Sequence, residues 1–134
     1  MKDDPIWIER SVADALHEQQ LELHGGSSGV RDAGLLDSAL NRPRQLFAYS
    51  DPTPDIPTLA ACYAFAIARN HAFVDGNKRT AAVVCELFLN RNGYELVADN
   101  DAAFDKFLAL AAGDISEEAF TDWLSANVRK LSFE

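Results

Sequence analysis

The sequence has little of what would mark an unusual chain. It has two cysteines, Cys62 and Cys85, each in an apolar run and neither in a Cys-x-x-Cys pair. A disulfide framework or a thiolate zinc site is therefore not expected, and both thiols read as buried and reduced. Seven glycines and five prolines in 134 residues are too few for a low-complexity or disordered chain. No apolar run approaches the ~20 residues that span a bilayer, and no charged-then-apolar signal segment opens the chain. The expectation is a soluble, cytoplasmic protein with no membrane partner. Basic residues are scarce: 12 Lys and Arg face 21 Asp and Glu, a formal net charge of −9. Such a chain repels nucleic acid unless its cations are focused, which counts against a nuclease or any direct nucleic-acid partner. A basic pocket inside an acidic shell stays open.

Hydrophobic residues make up 48% of the sequence, enough for one core in a domain of this length. No internal repeat or second domain is visible, so residues 1–134 read as a single domain. The periodicity predicts an all-α fold of about six helices. The first spans about residues 6–23, with Ile8, Val12, Ala15, Leu16 and Leu23 on one face, and breaks at Gly25-Gly26-Ser27-Ser28-Gly29. Asp32 can cap a second helix, which should end near Arg42 because Pro43 follows. Residues 50–57 read as a loop. Pro57 suits the first turn of a third helix, residues 58–70, which is apolar on most sides and hence central. A fourth, residues 77–92, is similarly apolar and stops at Gly93. Residues 94–98 form a short extended piece. Asp99 or Asn100 caps a fifth helix to about Ala112, and Ser116 caps a sixth, residues 117–130.

Between the two most apolar helices lies His71-Ala72-Phe73-Val74-Asp75-Gly76-Asn77-Lys78-Arg79-Thr80. A core has no use for a histidine, a carboxylate, an amide, two cations and a glycine in one loop, and burying them unpaired is costly. Broken local rules concentrated in one place mark a functional site. If Asn77 starts the fourth helix, the backbone N–H groups of residues 76–79 point outward as an anion-binding nest at a positive helix end. Gly76 allows close approach of a phosphate. Arg79 offers a bidentate fork, and Lys78 a movable point charge. Asp75 beside phosphates can hold Mg²⁺. His71 can act as a general base, since histidine ordinarily titrates near pH ~6.5. Phe73 anchors the loop in the core. Singly, each residue has a bland reading: a core histidine, an Asp-Gly turn, a helix cap, solvated cations. Their joint occurrence favours catalysis.

These residues resemble the signature of the Fic/Doc superfamily, His-x-Phe-x-(Asp/Glu)-Gly-Asn-x-Arg, at every specified position. Lys78 stands where typical Fic nucleotidyl transferases carry glycine, and so resembles the death-on-curing (Doc) branch. Gly76 follows the general Fic pattern, where some Doc sequences carry alanine. The likeness continues upstream through Gly25-Gly26, Gly29-Val30-Arg31-Asp32, Gly34-Leu35-Leu36-Asp37-Ser38-Ala39-Leu40, Arg42-Pro43 and Phe47. It implies an all-helical Fic fold and a toxin of a type II toxin–antitoxin pair, restrained by a small Phd-like antitoxin. It further implies a protein kinase that uses ATP and Mg²⁺ to phosphorylate elongation factor Tu on threonine, and so stops translation. By matched position His71 is the base, Asp75 the Mg²⁺ ligand, Asn77 with its neighbouring amides (Gly76 to Thr80) the phosphate cradle, and Arg79 the clamp. The alternatives are Fic-type transfer of AMP to a protein and a catalytically silent binding module. No complete (Ser/Thr)-x-x-x-Glu-(Gly/Asn) inhibitory motif is present, which implies restraint by a partner in trans.

Other residues stay ambiguous in sequence. Arg69 could meet phosphate or an acidic neighbour. Arg31-Asp32 could belong to a substrate flap, or be a solvated arginine beside a helix cap. His17 and His24 lack metal-ligand spacing. Trp7, Trp123 and Phe133 could be core or antitoxin contacts.

Overall fold

The structure is a computed structural model and describes residues 4–131. Six helices appear in chain order: α1 (Arg10–His24), α2 (Ala33–Tyr49), α3 (Ile56–Asn70), α4 (Asn77–Arg91), α5 (Asn100–Ala112) and α6 (Glu117–Ala126). A two-stranded antiparallel sheet joins β1 (Tyr94–Leu96) to β2 (Val128–Lys130).

α3 is the axis of the core. It is apolar on nearly every side, and the other helices bury it: α2, α4, α5 and α6 all pack against it. Four alanines and Cys62 within residues 60–66 let those helices approach closely. α1 lies against α4. Aromatic rings complete the far end, where Phe88 meets Tyr63 at 5.0 Å and Trp7 at 5.9 Å between ring centroids. The caps follow from chemistry read in the sequence. Asp32, Asp99 and Ser116 each accept a backbone N–H of the turn they open, and Asp55 does the same for α3.

Three boundaries differ from the sequence expectation by more than two residues. α1 starts at Arg10, not Ile6. Residues 6–8 stay outside the helix, and side chains satisfy their backbone: Asn92 bonds both the N–H and the carbonyl of Ile6 (2.7 and 3.1 Å), and the Tyr63 hydroxyl accepts the Ile8 N–H (3.0 Å). α2 does not stop at Arg42; it continues through Pro43 to Tyr49. Pro43 sacrifices one helical hydrogen bond, but the extra turns lay Leu46 and Phe47 against the core. α6 ends at Ala126 rather than at Lys130. Residues 128–130 pair with β1 instead, with Leu96 opposite Val128, and Arg129 forms an ion pair with Glu95 across the two strands. Trp7 is a core-edge ring and Trp123 packs on Phe120, while Phe133 lies outside the described residues. Both cysteines are buried and free.

Candidate active site

The signature run forms the turn between α3 and α4. α3 ends at Asn70, and His71 follows in the left-handed conformation (φ 51°, ψ 44°). It is the one non-glycine residue with positive φ among the described residues. A side chain held there is sparsely populated, and such positions concentrate at functional sites. Gly76 ends the turn, also left-handed (φ 79°, ψ 17°), as the N-cap of α4.

Two devices hold the turn in shape. Inside it, the Asn77 carboxamide accepts the Phe73 N–H and donates to the Phe73 carbonyl, both at 3.0 Å. The Phe73 ring is buried in the core, as expected. Outside it, the glycine-rich segment before α2 runs alongside. Val30 bridges Phe73 in antiparallel fashion, the Val74 N–H donates to the Gly29 carbonyl (3.0 Å), and the Arg31 and Asp32 N–H groups donate to the Ala72 carbonyl (2.7 and 3.0 Å). The Arg31 guanidinium is therefore not merely solvated. It donates to the carbonyls of His71 (2.7 Å) and Asn70 (3.4 Å), the electron-rich end of α3.

The α4 start is open. The first backbone bond of the helix runs from the Thr80 N–H to the Gly76 carbonyl (3.0 Å). The Gly76 N–H is taken by Asp75 Oδ1 (2.9 Å). Among the described residues the N–H groups of Asn77, Lys78 and Arg79 have no acceptor, so the nest consists of three amides, one fewer than the sequence suggests. Neither the Lys78 ammonium nor the Arg79 guanidinium is paired with a described residue. Three free amides and two free cations at a helix N-terminus form an anion-binding surface.

That surface opens on a cavity of about 450 Å³. One side is formed by His71, Asp75, Gly76, Asn77, Lys78 and Arg79; the other carries Phe104 and Leu108 of α5. Thr80 is brought close in sequence but not in space. Its side chain is fully buried, its hydroxyl has no protein partner, and it does not line the cavity. Its backbone N–H makes the first bond of α4, to the Gly76 carbonyl, and is not offered to the cavity.

Asp75 is exposed at the cavity. Its Oδ1 accepts the Gly76 N–H and its Oδ2 accepts the Ser27 N–H (3.3 Å), which leaves lone pairs on both oxygens. No group of three or more His, Cys, Asp or Glu forms a metal cage among the described residues. One carboxylate beside an anion site nevertheless suits magnesium, which keeps several waters and shares phosphate oxygens.

Two residues left open by the sequence, Arg69 and His17, and two that it does not single out, Phe104 and Leu108, have roles around the turn and the cavity. Arg69 meets neither phosphate nor an acid: its Nε donates to the Leu110 carbonyl (2.7 Å) and its guanidinium lies 5.0 Å over the Phe65 ring, tying α3 to α5. Phe104 and Leu108 line the cavity from α5, where nothing in their local sequence sets them apart from other apolar helical residues. His17 of α1 is buried beneath the turn, with Nε2 2.7 Å from the Asp75 carbonyl oxygen and its ring stacked on Phe73 at 3.8 Å. Nothing in the α1 sequence marks His17, because its burial depends on the turn it packs beneath.

The family model described as the Fic/DOC family matches residues 7–89. The protein named "Protein kinase doc" of Escherichia phage P1 is 37% identical over 110 residues, covering 82% of this chain and 86% of that protein. "Toxin Doc" of Mycolicibacterium smegmatis is 48% identical over 77 residues, covering 58% of this chain and 59% of that protein. The matched span, the helical fold and the turn between α3 and α4 agree, and the chain belongs to the Fic/DOC family.

Proposed function

We propose that this chain is the toxin of a toxin–antitoxin pair and acts as a protein kinase, moving the γ-phosphate of ATP to a hydroxyl of a translation factor like elongation factor Tu. Residues 1–134 act as one domain, in the cytoplasm, without nucleic-acid or membrane partners. The observation that carries the reading is the convergence of three unpaired amides, Arg79, Lys78 and His71 on one cavity. The names of the two relatives, a protein kinase and a toxin, support it.

In this reading the amides of residues 77–79 and the Arg79 fork grip phosphate oxygens, and the charge that develops during transfer is met by groups already in place. His71 accepts the proton of the incoming hydroxyl as its oxygen bonds to the γ-phosphorus. The bond from that phosphorus to the bridging oxygen breaks, and ADP leaves. A magnesium ion held by Asp75, phosphate oxygens and water would offset part of the phosphate charge. Lys78 fills space beside the nest that glycine leaves open in Fic nucleotidyl transferases, which favours the γ-phosphate facing His71. Phe104 and Leu108 supply the apolar wall. Restraint comes from a small Phd-like antitoxin in trans.

The test uses ATP labelled separately on the α- and γ-phosphates, with elongation factor Tu as acceptor and intact-mass spectrometry as readout. The expected result is γ-label and the mass of one phosphate on the acceptor. Label from the α-phosphate would instead establish nucleotidyl transfer. In a growth assay His71→Ala should abolish arrest; arrest that survives the substitution would point to a silent binding module.

A further inference from the structure

We infer that His17 is a positioning residue that keeps the first turn of α4 open, so that its amides stay available to an anion. The inference deepens the phosphate-binding reading and rests on it for the identity of the ligand. The Asp75 carbonyl stands just ahead of the start of α4. In a helix extended one residue toward its N-terminus, that oxygen would accept the N–H of residue i+4, which is Arg79. Here it does not. The left-handed Gly76 turns the chain away, and among the described residues the donor that reaches the Asp75 carbonyl is His17 Nε2, at 2.7 Å. A carbonyl oxygen can only accept, so Nε2 carries the proton. A side chain from another helix thus satisfies the carbonyl that would otherwise recruit the Arg79 amide.

The remaining contacts of the ring agree. His17 is 2% exposed. Its face lies against Phe73, nearly parallel at 12°. Its edge lies 3.6 Å from where a Cβ on Gly76 would stand. The ring therefore holds the turn at Phe73 and Asp75 and lies beside Gly76, where an added Cβ would meet it. Nδ1 faces Glu18 at 4.0 Å, on its own helix. A histidine present only as filler would need no donor aimed at that carbonyl.

Three variants separate the hydrogen bond from the packing. His17→Phe keeps an aromatic face and removes the donor. His17→Gln places an amide N–H the same number of bonds from Cβ and removes the ring. His17→Leu removes both. The first readout needs no nucleotide: hydrogen exchange of the Arg79 amide, the group that the Asp75 carbonyl would recruit, compared with the melting temperature. Exchange should slow about tenfold in His17→Phe, the equivalent of one gained hydrogen bond, with little change in melting temperature, and stay within about threefold of the parent in His17→Gln. His17→Leu should match or exceed His17→Phe. The second readout is titration with Mg·ATP, where His17→Phe should bind about tenfold more weakly and His17→Gln nearly as well as the parent. Parent-like exchange in a folded His17→Phe would overturn the inference. If His17→Phe does not fold, a folded His17→Gln decides: parent-like exchange at Arg79 supports the inference and slowed exchange overturns it. If the exchange pattern holds while the parent protein binds no nucleotide, His17 stands as the positioning residue and the ATP reading fails.

Discussion

Asn77 closes a ring with Phe73: its carboxamide meets both the N–H and the carbonyl of that residue, each at 3.0 Å. The amide of the signature therefore acts on the protein's own backbone. What Asn77 can offer a phosphate is its main-chain N–H. Asn77→Ala should remove both bonds and destabilise the fold by about 1–3 kcal/mol. Binding of Mg·ATP should weaken by more than that loss of folding accounts for at a temperature where the variant is fully folded. Urea denaturation and calorimetric titration measure the two effects. A variant that bound as well as the parent would mean the turn holds its shape without the clamp.

Arg79 is expected to behave in the opposite way. Its guanidinium is exposed and has no described partner, so Arg79→Ala should leave stability within about 0.5 kcal/mol of the parent. Nucleotide affinity should fall about 10- to 100-fold, the range of a charge-assisted hydrogen bond or two. Arg79→Lys should recover only part of this, because a point charge cannot form a fork. Unchanged affinity in Arg79→Ala would remove this residue from the clamp.

How much of this the sequence shows depends on whether a residue's role is local. The run from His71 to Thr80 is legible because polar groups crowd between two apolar helices. The caps at Asp32, Asp99 and Ser116 are legible because capping needs only the next three residues. Roles set by distant partners are not. α2 passes Pro43 because Leu46 and Phe47 find the core, and residues 128–130 leave α6 because β1 waits for them. His17 looks like a stray histidine until α1 is laid against the turn, 58 residues away in sequence. Thr80 shows the reverse error: it adjoins the motif, yet the helical repeat turns its side chain into the core.

Gly26 is tied to the carboxylate across the turn. A Cβ at Gly26 would stand 2.8 Å from Asp75 Oδ2 and 3.0 Å from Leu21, at a φ of +126°. Gly26→Ala should cost about 1–3 kcal/mol in backbone strain and also displace the Asp75 carboxylate from the Ser27 N–H. Gly25→Ala is the control, because its φ of +79° is also strained but nothing lies within 4 Å of the added Cβ. Both should lower stability in urea. Only Gly26→Ala should shift the magnesium dependence of nucleotide binding. An equal shift in both would detach the effect from Asp75.

Stability should also fall in alkali, through groups far from the cavity. Burial pushes the Cys62 thiol up to about 11 from its ordinary value near 9, against the opposing pull of the Arg42 guanidinium 3.1 Å away. Burial likewise raises the Tyr63 hydroxyl to about 12, partly offset by the Ile8 N–H that it accepts, and raises Cys85. In each case the folded pKa lies above the unfolded one, so the folded state keeps a proton that the unfolded chain releases first. Their contribution is then complete below about pH 9 and is lost progressively as pH rises through the 9–12 window. Each group can add a slope of at most about 1.4 kcal/mol per pH unit once its unfolded form is ionised. Urea unfolding between pH 7 and 10.5 should give a flat profile that turns down above pH 9. Cys62→Ala should make the descent shallower, and alkylating reagents should reach either thiol only as fast as the protein opens. A profile still level at pH 10.5, or prompt alkylation of the folded protein at pH 8, would show that these groups are not shielded as the packing around α3 requires.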